Sequence, residues 1–253
     1  NECLARANKH GMTTIGMTDN KESNCAKYAK YLYHTNSPKG DNNAGLRTYF
    51  VNCLSLIIFA AALAEVRTGK EYLPELRKQV QAYHDKFYGE IEKIDEKMFA
   101  VALGWKKNNR ELFEMVADGP LFHSAKFVAA KFAEVPGDIV SVIDSENYMH
   151  VNSLEYPASD YAEMILINSA DSNVARIAET VNFIAKQGRE VLVFADKDPK
   201  ELGISEEVDY CHMAMGSGEY SFLTSLYAYL PASILAGFRM TTLGEPMFRG
   251  GFI

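Results

Sequence analysis

Lys131 and Glu134 stand three residues apart in the helix-forming run HSAKFVAAKFAEV, and residues at that spacing share a helix face. A carboxylate beside an ammonium can remove and return a proton on a bound molecule, and it can equally be an ordinary ion pair at the surface. Helix spacing leaves both readings open. Sixteen residues on, His150 lies in SENYMHVNS, a polar and aromatic segment amid apolar surroundings. An imidazole exchanges a proton near neutral pH, so His150 is a candidate for proton transfer. A surface or hydrogen-bonded histidine is the alternative. Glu146, four residues before His150, is either its partner or a solvated helix charge.

Two turns have the form that suits an oxyanion. Gly119 in ADGPLFHS follows an apolar strand and opens a helix, so its turn can present backbone amides. Ser169 and Ser172 in NSADSN also follow a strand and precede a helix; they suit phosphate, or simply cap that helix.

The elements that must position these groups alternate. ELFEMVADGP reads as a strand running into a turn, the run after it as a helix stopped by Pro136 and Gly137, and EMILINS as a further strand. Shifting the chain by 177 residues lays ECLARANKHGMTTIGMTDN on ETVNFIAKQGREVLVFADK without a gap. Glu2 falls on Glu179, Lys9 on Lys186, Gly11 on Gly188 and Asp19 on Asp196. Two copies of one helix-strand unit explain this match. The second copy has a strand and turn ahead of its helix and the first does not, so the opening strands of a first lobe are expected to precede Asn1. A charged, amphipathic connector is predicted from Tyr72 to about Asn109. Repeated alternation predicts an α/β fold with parallel sheets flanked by helices, and ligands at the carboxyl ends of the strands. The expected division is a first lobe with its connecting helix over 1–100 and a second lobe over 101–253.

Bulk properties narrow the partners. A net charge of −7 and a pI near 5.5 offer no broad attraction for nucleic acid, while a local cradle can still hold one small anion. Cys3, Cys25, Cys53 and Cys211 show neither CxxC nor paired spacing. They read as reduced thiols in a cytoplasmic setting, with no zinc or other metal site. The most apolar run, Val51 to Ala64, is shorter than the roughly 20 residues a bilayer needs, so no membrane span is predicted.

The stretch VADGPLFHSAKFVAAKFAEVPGDIVSVIDSENYMHVNS resembles the isomerase domain of glucosamine-6-phosphate synthase and related sugar isomerase (SIS) proteins, fructosamine-6-phosphate deglycases among them. Without gaps, the family's catalytic glutamate falls on Glu134, its lysine on Lys131, its ring-opening histidine on His150 and a turn glycine on Gly119. VLVFADKD and AYLPASILAGFRMTTLGEPMFRG are similar to the family's later strand and tail, so the likeness covers nearly the whole chain. It implies two SIS-type lobes, each a parallel sheet flanked by helices in a flavodoxin-like three-layer sandwich, with the first truncated at its start. It also implies a sugar phosphate as ligand, no cofactor, and a homodimer whose sites share residues. The family's phosphate-holding serine loop would lie ahead of Asn1. Its ASTK segment reads AGLR here, which puts Asn43, Ala44 and Arg47 where substrate contacts are expected, with altered side chains. The Schiff-base lysine of the synthase tail has no counterpart in GEPMFRGGFI. An aldose–ketose isomerase or deglycase working by proton transfer between C1 and C2 is the first implication, and a non-catalytic sugar-phosphate sensor the second.

Overall fold

The computed structural model describes residues 2–38, 45–154 and 161–244, and the chain divides into two compact units at Leu73 and Pro74. The first unit runs α1 (Glu2–Lys9), β1 (Ile15–Thr18), α2 (Asn24–Tyr28), β2 (Tyr31–His34) and α3 (Leu46–Thr68). The strands β1 and β2 pair in parallel, with Ile15 opposite Tyr31 and Thr18 opposite His34. Gly16 must be a glycine because α2 lies against the strand: a Cβ there would come 2.8 Å from Ala29 Cβ and 2.9 Å from Cys25 O. Ser23 starts α2 by accepting a hydrogen bond from Ala26 N on its side chain.

Helix α3 departs from expectation. The apolar run extends to 23 residues, about 34 Å at 1.5 Å per residue, long and apolar enough to cross a bilayer by length and composition alone. The same composition serves a core helix elsewhere in the chain, as α10 shows below.

The second unit opens with α4 (Leu73–Tyr88) and α5 (Ile91–Lys107). The single connector read from the sequence is therefore two helices, broken at Gly89 and Glu90. The Glu90 carboxylate faces back to accept from Ala214 N at 2.6 Å. The elements that follow are β3 (Leu112–Ala117), α6 (Leu121–Glu134), β4 (Val140–Ile143), α7 (Ser145–His150), a 3₁₀ turn (Asn152–Leu154), β5 (Tyr161–Ile167), α8 (Val174–Lys186), β6 (Glu190–Ala195), α9 (Pro199–Leu202), β7 (Asp209–His212) and α10 (Leu230–Leu243). The five strands form one parallel sheet in the order β4-β3-β5-β6-β7. The chain goes outward from β3 in one direction and from β5 in the other, so the topological switch point lies between these two strands.

A parallel sheet needs cover on both faces, and its central strands are accordingly apolar almost throughout. Phe113 packs on Trp105 of α5 and Phe132 of α6 on one face, where α10 also rests against α5 and α6. Val116, Ile165, Val191 and Val193 pack with Tyr148 of α7 and Ile177, Val181 and Ile184 of α8 on the other. The result is α/β, a parallel sheet between two helical layers.

Laid along the chain at the offset of the sequence match, the elements of the first unit can be compared with those of the second by position. At the same offset of 177, α1 overlies the end of α8, β1 the end of β6, β2 falls one residue out of step with β7, and α3 covers α10. Gly11 and Gly188 end corresponding helices with φ of 71° and 76°, the left-handed conformation that favours glycine.

Charge is buried in the second face. Glu114 and Glu163 are Cα partners on β3 and β5, and the Glu163 side chain is 0% and that of Arg189 1% exposed. Arg189 Nη1 donates to Glu163 Oε1 at 2.7 Å and to Tyr148 Oη at 2.8 Å. Burial first, then the Glu114 charge, pushes the Glu163 carboxyl up from 4.5 to about 7, against the opposing pull of Arg189. The folded chain thus holds a proton that the unfolded chain releases near 4.5. Stability supplied by this group is full below that value, erodes as pH rises to about 7, and is constant above. Replacing Glu163 by Gln fixes the protonated form. Between about pH 5 and about pH 8 we expect the wild type to lose about 2–3 kcal/mol of unfolding free energy relative to Glu163→Gln, a difference read from urea unfolding at each pH.

Candidate functional site

Helix α6 carries Lys131 and Glu134 at its end because Val135, Pro136 and Gly137 close it there. Val135 N donates to Lys131 O at 2.8 Å, and Gly137 N and Asp138 N both donate to Phe132 O at 3.0 Å, with Gly137 at φ 80°. Lys131 and Glu134 form the ion pair expected of their spacing, with the lysine buried and the Glu134 side chain 30% exposed. The ammonium lies 4.9 Å from the centre of the Phe127 ring, which packs edge-on against Tyr229 at 5.1 Å. A cation in the last turn also favours the helix dipole. The carboxylate is therefore held from one side by a buried, ring-backed charge and open to solvent on the other, the disposition of a group that can meet a substrate.

His150 ends α7 and is exposed, and among the described residues no hydrogen bond or ion pair joins it to Glu134. Glu146 turns away from it: Arg176 on α8 donates to both Glu146 oxygens, at 2.7 and 3.0 Å. The solvated-charge reading of Glu146 is the one the structure bears out. Gly119 adopts φ 52° in the turn before α6. Pro120 has no N–H, Leu121 N donates to Asp118 O and Phe122 N to Gly119 O, so the first amides of this helix are engaged locally. Arg47 begins α3, with Nε buried and without a hydrogen-bond partner among the described residues. Asn43 and Ala44 lie outside the described residues.

Glu134 sits where the chain leaves α6 for β4, at the amino edge of the parallel sheet. The carboxyl edge, where ligands were expected, is acidic. Asp118 Oδ1 and Oδ2 accept from Ser145 N at 2.8 Å and Ser145 Oγ at 2.5 Å, and Asn173 Nδ2 donates to Oδ2 at 2.6 Å. Asp118 thereby ties the turn before α7 to the turn before α8 across the switch point. Asp196 accepts from Ser169 N and Ser169 Oγ at 2.8 and 2.6 Å, so Ser169 braces β6 and does not cap α8, whose N-cap Asn173 makes no side-chain cap bond. Burial, then the charges of Asp118 and Asp196, pushes the Asp171 carboxyl up. Three carboxylates at this edge suit hydroxyl or cationic groups and repel a phosphate. Among the described residues no group of three or more His, Cys, Asp and Glu is arranged to hold a metal.

Sequence reasoning passed over the Asp118 and Asp196 braces and the buried Glu114, Glu163 and Arg189. A signal for the last group existed. Both β3 (LFEMVA) and β5 (YAEMILI) carry a Glu-Met pair inside an otherwise apolar strand, and a buried strand carries a charge only where a partner meets it.

No family model matches the chain, and no curated protein matches it in sequence. Its structural neighbours are sugar-isomerase-domain proteins. The C-terminal domain of glucosamine-fructose-6-phosphate aminotransferase from Francisella tularensis superposes with a TM-score of 0.84 at 13% identity, over 98% of this chain and 68% of that one. A candidate phosphosugar isomerase of Clostridium difficile 630 gives 0.74 at 13%, over 97% and 66%. The Vibrio vulnificus NanR protein complexed with ManNAc-6P gives 0.52 at 14%, over 72% and 67%. The chain thus spans about two thirds of the length of each, and at these identities the likeness establishes the fold.

The ion pair makes its own test. Glu134→Gln takes the opposing charge from a buried ammonium and should cost about 1–2 kcal/mol, below the usual cost of breaking a buried pair because Glu134 is partly solvated. Lys131→Met keeps the volume and stays within about 1 kcal/mol of wild type, both read from urea midpoints.

Proposed function

We propose that this chain is an SIS-type protein with two related lobes that binds a sugar 6-phosphate or its amine adduct, and that it moves a proton between C1 and C2 of that sugar. Glu134 carries the reading: it is a half-solvated carboxylate fixed at a helix end, and the gapless resemblance lays the family's base on it. In this mechanism Glu134 takes the proton from one carbon and returns it to the next through an enediol or enamine. Lys131 sets positive charge beside the place where the oxyanion forms. His150 gives its proton to the ring oxygen and opens the sugar. Release of an amine is favoured over plain isomerisation, because GEPMFRGGFI carries no lysine where the resemblance puts the aminating enzyme's Schiff-base lysine.

No hydrogen bond or ion pair joins His150 to Glu134 among the described residues, which fits a homodimer in which the histidine serves the neighbouring subunit's site. The four free thiols agree with a reducing, cytoplasmic setting. A sensor that binds a sugar phosphate without turning it over is the second reading, favoured by the fold shared with the ManNAc-6P complex of NanR.

Incubation of the full-length protein in D₂O with fructose 6-phosphate, glucosamine 6-phosphate and a fructosamine 6-phosphate, followed by NMR, separates the two. Deuterium entering next to the carbonyl, or amine release, supports the enzyme, and Glu134→Gln should slow it by about 10² to 10⁴. Binding without exchange supports the sensor. Mixing inactive Glu134→Gln and His150→Ala proteins should restore about a quarter of wild-type turnover if sites are shared across a two-fold axis, and none if they are not.

A further inference from the structure

Glu134 is the last residue of α6, and the strand that follows offers it little support. The chain leaves through Val135, Pro136, Gly137 and Asp138 to β4, a four-residue edge strand with no buried residue, and Ile139 ahead of that strand is 82% exposed. Asp138 differs from its neighbour. Its side chain is 12% exposed and accepts from Arg239 Nε of α10 at 2.9 Å.

Arg239 is itself set in an apolar layer. Its side chain is 3% exposed, and the guanidinium lies 4.6 Å from the centre of the Phe113 ring, which also packs on Trp105 and Phe132. A charge in such a layer costs free energy unless a partner meets it, and a cation near the end of α10 gains only modestly from the helix dipole. Helix α10 is fixed to α5 on both sides of Arg239: Phe238 packs edge-on to Phe99 at 5.2 Å, and Lys106 donates to Thr242 O. The anchored helix thus reaches the turn after α6 through a buried ion pair, and the backbone of that turn returns Gly137 N and Asp138 N to Phe132 O.

We propose that Arg239 is a positioning residue for Glu134: through Asp138 it ties the turn that ends α6 to α10, and so fixes the carboxylate in place. Its functional meaning rests on the reading of Glu134 as the base; the tie itself does not. Without the pair, Asp138 is drawn to solvent beside Ile139 and the last hydrogen bonds of α6 open more often. The carboxylate then leaves its place beside the buried ammonium of Lys131. Displacing a reacting group by about 1 Å can cost about 10² in rate.

Amide hydrogen exchange of the full-length protein tests the tie without any sugar. In Arg239→Met, exchange at the Val135, Gly137 and Asp138 amides should rise by about tenfold or more, while that at Val128 in the middle of α6 stays within about twofold. Arg239→Lys keeps the charge and loses the planar fork, so it should show a smaller rise at the same amides. Unchanged exchange at the turn, or a rise shared equally by Val128, overturns the proposal. Should Arg239→Met not fold, Arg239→Lys is read by the same criterion. With a sugar that the wild type turns over, folded Arg239→Met should lose about tenfold to about a hundredfold in kcat with KM within about threefold, and should cost nothing further when combined with Glu134→Gln. Losses that multiply in the double variant give Arg239 a role apart from Glu134 and overturn the positioning. A wild type that places no deuterium in the sugar defeats the reading of Glu134 as base, and the tie is still decided by the amides.

Discussion

A parallel sheet covered on both faces has no wet side on which to place a charge, yet the second unit sets two glutamates and an arginine against one face of its own. The other elements of that face are arranged around them. Strands β3 and β5 must stay in register for Glu114 to oppose Glu163, Arg189 must enter just ahead of β6, and α7 must lie close enough for Tyr148 to reach both. Removing Arg189 would take its guanidinium from a carboxylate that is fully buried, and breaking a buried pair costs far more than the pair's net worth. The cluster therefore acts on specificity: a one-residue slip of either strand would turn its glutamate into the layer of Phe132 and Trp105.

The two edges of the sheet differ in what they can hold. At the carboxyl edge, aspartates accept from Ser145, Asn173 and Ser169 and lock four turns together. That edge is rigid and negative. At the amino edge, the end of α6 offers a buried ammonium and a half-exposed carboxylate. In the proposed reading, a sugar bearing phosphate is repelled at the first edge and its reacting carbons meet Glu134 at the second, away from the usual crevice of α/β sheets.

Much of this was legible in the residues. Strand β3, the stop at Pro136 and Gly137, the repeat of helix, glycine and strand, and the pairing of Lys131 with Glu134 all follow from local spacing, and local spacing is what these features obey. The break between α4 and α5 was missed because amphipathic periodicity runs through Gly89. The length of α3 was missed because its ends, around Leu46 and Arg67, are less apolar than its middle. The buried charges were missed for a different reason: Glu114, Glu163 and Arg189 are far apart in sequence, and only the sheet order brings them together. His150 and Glu134 were joined through a shared motif, and a motif gives spacing along a chain without giving a path across space.

Trp105 is the sole tryptophan, 1% exposed and tilted against Phe113 at 5.1 Å in the second unit. The first unit holds Tyr28, Tyr31, Tyr33, Tyr49 and Tyr72 instead. Emission excited at the red edge of the absorption band therefore reports one half of the molecule and is silent about the other. A single smooth fluorescence transition would describe the larger unit alone, and circular dichroism, which sees the helices of both, is the probe with which it has to be compared before the whole chain is called two-state.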